Sequence, residues 1–422
     1  MHYFYLSLIL FVITAEGLLA QCPPGSVYFS TQAEIDAFAA TYPNCAEIAG
    51  SLSIGAFSDS TDITNLNGLA AITSVSGELE IRNSSGLTSL AGLDAITSVN
   101  GQLVISDNDL LTSLAGLEAL TSIEGNLNIR LNDALTSLMS LEALTSINGS
   151  LDIFRNNALT SLTGFEALTS IGGATDISRN DALTSLTGLE ALTSIGEDLF
   201  ISSNAVLTSL TGLDELTSVS GSMGISFNGA LTSLTGLNSL TSIGGSLTIV
   251  LNNALTSLTG LDGTTSVSSL IIINNDLLMS LNGLENIDPT GIAVLTVSGN
   301  PQLSTCSVES ICAYLEVEMN SANIFGNATG CNSRTEVEMA CVVSTTSISE
   351  TDIELFPNPT SDRLQWRNVS AERVEVFTAE GQRVIQQISP DSQLDISALP
   401  VGVYVVHLIT TDAVYASRIV KK

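Results

Sequence analysis

Asp152 and Asp176 stand 24 residues apart, each just before an Ile, in near-copies of one sequence unit. If those copies stack, the two carboxylates lie about 5 Å apart on neighbouring strands, a separation that could serve a retaining glycoside hydrolase. Stacking gives that distance to any two equivalent residues, so the pair by itself says little, and the chain reads as a non-enzyme. Other chemistry lacks its residues. His2 and His407 are the only histidines and lie at the two ends, so Ser-His or Cys-His catalysis and His-ligated zinc have no candidates between them. The pairs Gly172-Gly173 and Gly244-Gly245 are turns inside the repeat, and no Gly-rich phosphate loop opens a helix. Neither a cofactor nor a metal is expected.

The unit that carries these residues reads LTSL-x-GLEALTSIGG-x-L-x-I-x-x-N. Its copies begin at Ile63, Leu87, Leu111, Leu135, Leu159, Leu183, Leu207, Leu231, Leu255 and Leu278, and only the last step is a residue short. Self-similarity at this period marks a solenoid, in which each coil buries its apolar edge against its neighbours. In the copy from Leu111 the apolar positions are Leu111, Leu114, Leu117, Leu120, Ile123, Leu127 and Ile129. Steps of three suit neither a helix nor a long strand, and only Leu127-Asn128-Ile129 alternates as a strand does. A short parallel strand there, a turn at Asn132 and an irregular or 3₁₀-like return are predicted. About ten coils at roughly 4.8 Å each give a rod some 45–50 Å long.

Asn recurs at one turn position, as Asn108, Asn132, Asn156, Asn180, Asn204, Asn228, Asn252, Asn275 and Asn300, with Ser84 in the first copy. A buried file of Asn side chains can satisfy backbone groups at a tight turn. With L-x-I-x-x-N-x-x-L around it, residues 63–303 resemble the leucine-rich repeat, and the short Ser/Thr-rich coil is closest to the receptor L-domain type of bacterial surface proteins. The resemblance implies a right-handed, mainly β solenoid and leaves the ligand open.

The middle residue of each L-x-I string and the residue after its Ile should point outward. These two rows change at almost every copy while the core positions barely change. Between residues 128 and 200 they gather Asn128, Arg130, Asp152, Phe154, Asp176 and Phe200, with Arg155 and Arg179 in the following turns. A mixed aromatic and charged patch on a rigid face suits docking of a protein or a polysaccharide. The invariant Thr-Ser pairs, such as Thr112-Ser113 and Thr121-Ser122, form hydroxyl files that an ice-binding or surface-coat protein could use, although adjacent Thr-Ser matches a flat Thr array poorly.

Charge narrows the partners. The chain carries 43 acidic residues against 12 basic ones, a formal charge of −31. Nucleic acid and anionic membranes are therefore disfavoured. Much of the acid falls in one file, Asp94, Glu118, Glu142, Glu166, Glu190, Asp214, Asp262 and Glu285, expected to be a solvated face and otherwise a place for cations.

The ends differ from the middle. Residues 1–20 hold an apolar run too short to span a bilayer and read as a signal peptide, and no other segment could cross a membrane. Residues 21–62 form an N-terminal cap in which Thr31-x-x-Glu34 is a capping-box pattern opening a short helix with Ile35 and Phe38 on one face. Residues 304–341 form a second cap with a helix near residues 308–315. The six cysteines lie only in these caps, an arrangement that in an exported chain means disulfides. Cys22 and Cys45 bracket the first cap. Cys306, Cys312, Cys331 and Cys341 allow three pairings, of which Cys306–Cys331 with Cys312–Cys341 is preferred.

Residues 342–351 are Ser/Thr-rich and read as a linker, and residues 352–422 show short alternating strands that fit a small antiparallel β-sandwich. Phe356-Pro357-Asn358-Pro359, then Gly402-Val403-Tyr404, then Lys421-Lys422 come in the order that resembles the C-terminal sorting domain of the type IX secretion system of the Bacteroidota. That resemblance implies the type IX machinery as a partner and passage across the outer membrane. The expectation is thus a secreted or surface-attached solenoid with disulfide-bonded caps. It would recognise an extracellular protein or polysaccharide, and a carbohydrate-active solenoid using Asp152 and Asp176 is the runner-up.

Overall fold

The computed structural model describes residues 22–56, 61–344, 355–367, 369–378, 382–388, 391–410 and 414–422. The expected signal peptide and most of the linker lie outside these residues.

Seven positions per coil turn inward because they are apolar and evenly spaced. Leu111, Leu117, Leu120, Ile123, Leu127 and Ile129 are fully buried and Leu114 nearly so, and their equivalents along the rod join one continuous core. Burying each such side chain is worth roughly 1.5–3 kcal/mol. No coil could hold that core alone, so the backbone pairs between coils. The L-x-I strings form a 13-stranded parallel sheet whose strands follow chain order. Its register sets each residue opposite its equivalent one copy away, as with Ile129, Ile153 and Ile177.

Two things extend beyond the repeat as read in the sequence. The sheet begins in the first cap, with Val27–Phe29 and Leu52–Gly55, and ends in the second, with Ala322–Phe325. The return side of the first eight coils also carries a strand two residues long (Ser122–Ile123, for example), and with Glu47–Ile48 of the first cap these make a nine-stranded second parallel sheet.

The Asn file joins the coils a third time. Asn180 donates its side-chain amide to the Ile153 carbonyl at 2.9 Å, and its backbone N–H donates to Oδ1 of Asn204 at 3.1 Å. This pattern runs from Ser84 to Asn300 and on to Asn327, which donates to the carbonyls of Val297 and Cys331. The Thr hydroxyls do similar work. Thr145 and Thr169 each donate to the backbone carbonyl of the Thr one copy earlier, at 3.3 and 3.2 Å, and Thr136 and Thr184 do so in the other file. Their protons are used between coils and are not offered to water.

The acidic file has a local cause. Glu118, Glu166 and Glu190 accept the backbone N–H of the Gly two residues before, at 2.8–2.9 Å. Gly188 sits at φ 115°, where a side chain is strained, and a Cβ there would lie 2.1 Å from the Leu162 carbonyl oxygen. Where Ala70 replaces the acid, or Ser140 the Gly, the segment winds into a 3₁₀ turn instead, Asn67–Leu69 and Met139–Leu141.

Helix α1 (Gln32–Thr41) starts on a complete capping box between Thr31 and Glu34 and buries Ile35 and Phe38 over the first coil. At the other end α2 (Glu309–Glu316) and α3 (Arg334–Ser344) cover the last coils. Disulfides join Cys22 to Cys45, Cys306 to Cys331 and Cys312 to Cys341. The C-terminal region forms antiparallel sheets of three and four strands around Leu364, Trp366, Val376, Tyr404 and Val406. Among the described residues no helix is long and apolar enough to cross a membrane.

Candidate functional site

Parallel pairing brings the variable residues into two cross-strand rows. Asn128, Asp152, Asp176 and Phe200 are successive partners in one, and Arg130, Phe154 and Ser178 in the next. Phe200 and Arg130 are exposed, while Asn128, Asp152, Phe154 and Asp176 are half-buried. The rows do not all reach solvent as the alternation suggests. Glu80, Val104, Ser106 and Ser178 are buried, because strands this close let each side chain be covered by its partners on both sides. Glu80 is also held by Arg82 in an ion pair.

Asp152 and Asp176 each keep one carboxyl oxygen buried without a hydrogen-bond partner. Burial, helped by the neighbouring Asp176 charge and opposed by Arg130, pushes the Asp152 carboxyl up to about 6. Asp152 therefore exchanges its proton in mildly acidic solution.

At the lower edge of this face the chain turns. Leu131, Arg155, Arg179 and Ser203 occupy the left-handed region at φ 53–57°. Each is fixed there by the ladder Asn that follows it and by its own N–H, which donates to the next strand, as Arg155 does to Ser178 at 3.1 Å. This places Arg155 and Arg179 side by side. Both guanidiniums lie over the Phe154 ring, 5.3 and 5.7 Å from its centre. A groove of about 460 Å³ opens beside them, lined also by Leu131, Asp133, Asn157, Asp181 and Ser203. In the sequence Arg155 and Arg179 stand out only as turn residues; neither their contact with Phe154 nor the groove is visible there. Among the described residues no cluster of three or more His, Cys, Asp or Glu could hold a metal.

In the C-terminal region the three motifs meet. Asn358 Nδ2 donates to the Arg418 carbonyl at 3.0 Å, and its Oδ1 accepts from the Val420 N–H at 2.9 Å. Gly402 pairs with Lys421, and the Tyr404 hydroxyl donates to the Pro400 carbonyl at 2.8 Å. Lys421 is buried rather than part of a solvated tail.

Residues 354–422 match the secretion system C-terminal sorting domain. The sorting domain marks the chain for type IX secretion across the outer membrane, to the cell surface or the extracellular space. Residues 120–212 match the Receptor L domain, and this stretch spans the coils from Asn128 to Phe200 that carry the variable face. No curated protein matches the chain.

Proposed function

We propose that the chain is a secreted or surface-attached recognition protein that binds an extracellular protein or polysaccharide through the strand face of its solenoid. The observation that supports this most is the contrast within the coils. Asn, Thr and Gly–acid bonds recur along the coils at repeated positions, while the rows through Asp152 and Phe154 change at most steps from one strand to the next. Rigid spacing costs a ligand little ordering on the protein side, and Phe154, Phe200 and the arginines are residue types that anchor interfaces. The Receptor L domain match over these coils agrees with a recognition role.

A second function, glycoside hydrolysis, has one observation in its favour. Asp152 has a raised pKa beside Asp176, and a proton donor next to a carboxylate is what a retaining mechanism uses. The groove at this edge, however, is lined by the turn residues and not by Asp152 or Asp176, so it does not enclose a sugar between the two acids.

The full chain, and a variant with Asp152, Phe154, Asp176 and Phe200 all changed to Ser, should be tested on glycan and extracellular-protein arrays. A ligand bound by the natural chain and lost in the variant supports the recognition role. Binding that survives all four changes moves the site elsewhere. Turnover of a bound glycan, abolished by Asp152→Asn or Asp176→Asn, would establish the enzyme instead.

A further inference from the structure

The solenoid repeats hold only four basic residues, Arg82, Arg130, Arg155 and Arg179, and the last three fall in consecutive coils. Arg82 is paired with Glu80. Arg155 and Arg179 form no ion pair among the described residues, although the chain carries 43 acidic side chains. Instead the two guanidiniums share one aromatic ring. Arg155 and Arg179 follow one another on adjacent coils and line one groove, so their like charges repel, and an anion bound to both would relieve that repulsion.

The rest of the groove narrows the anion. Asp133, already accepting from Asn157 Nδ2 at 2.8 Å, and Asp181 line it too. Carboxylates accept hydrogen bonds and donate none. A ligand that suits both parts must therefore carry a negative group for the arginines and hydroxyl donors for the aspartates. An acidic peptide brings carboxylates with few hydroxyl donors to offer Asp133 and Asp181. A sugar acid brings both on one ring, and about 460 Å³ is room for one or two such rings.

We propose that this groove binds a uronic-acid unit of an acidic polysaccharide, with the sugar carboxylate held between Arg155 and Arg179 and ring hydroxyls donating to Asp133 and Asp181. The proposal rests on the recognition role above and names its ligand class.

Calorimetric titration of the full chain tests it, with an oligogalacturonide, the carboxyl-reduced neutral oligomer of the same length, and polyglutamate as the three probes. The expected result is binding of the oligogalacturonide alone, weakened by added salt. The double variant Arg155→Asn, Arg179→Asn should bind at least tenfold more weakly. Asn tolerates the left-handed turn, so its melting midpoint should hold. Asp181→Ala leaves both arginines in place and should also lower affinity, which keeps the test valid if the double variant unfolds. No binding of the oligogalacturonide, equal binding of the neutral oligomer, preference for polyglutamate, or unchanged affinity in a folded variant would overturn the proposal. If the arrays give a neutral or protein ligand that the four-Ser variant loses, the recognition face stands and only this ligand assignment falls.

Discussion

Asp152 and Asp176 are direct partners on adjacent parallel strands, and each buries a carboxyl oxygen that has no hydrogen-bond partner. The folded protein holds the Asp152 proton up to about pH 6, against an ordinary value of 3.8. Stability from this group is thus fully present below about pH 4 and is lost as pH rises through 6. Asp152→Asn should remove that loss and raise the melting midpoint above pH 6 relative to the natural chain. Coincident midpoint-against-pH curves for the two proteins would rule this out.

Asn180→Ala leaves the Ile153 carbonyl and the Asn156 N–H without the partners they have now, at 2.9 and 3.0 Å. A cost of roughly 1–3 kcal/mol per stranded group is expected. Chemical denaturation measures it, and a midpoint equal to that of the natural chain would mean the file is not structural.

Gly188→Ala should cost about 3 kcal/mol, since the new methyl meets backbone at a strained φ. Glu190→Gln should cost less than about 1 kcal/mol, because the amide oxygen can still accept from Gly188. Equal losses in thermal melts of the two variants would show that the turn is not set by the glycine.

Deleting residues 353–422 should leave the protein in the periplasm while its far-ultraviolet dichroism still reports the parallel sheet. Normal appearance of the truncated chain at the cell surface would contradict the role of the sorting domain.

Much of this architecture can be seen in the sequence because one side chain per position repeats: Leu111, Leu114 and Leu117 announce inward faces, and Asn132 announces a turn. What stays hidden has no periodic signal. Ser122–Ile123 is too short to alternate, so the second sheet cannot be told from a turn. Val27–Phe29 and Ala322–Phe325 lack the repeat consensus and join the sheet only because its ends offer unpaired backbone. Asn327 continues the Asn file beyond the last recognisable copy. Glu118 looks like surface charge until Gly116 is seen donating to it. At the candidate site the rows through Asp152 and Phe154 follow from the period alone. The burial of Val104 and the meeting of Arg155 and Arg179 over Phe154 depend on side-chain packing that spacing does not encode.

The bonds between coils repeat with the same partners at each copy, as Asn180 to Asn204 and Asn204 to Asn228, so the rod has no preferred length. Excising residues 207–230 in one piece would present Asn252 to Asn204 where Asn228 stands now, with the caps unchanged. Unequal recombination between copies of such a gene can therefore lengthen or shorten the protein, or move a variable strand beside new neighbours, without a folding penalty at the junction. The variable strand face can thus be rearranged by whole coils as well as by single substitutions.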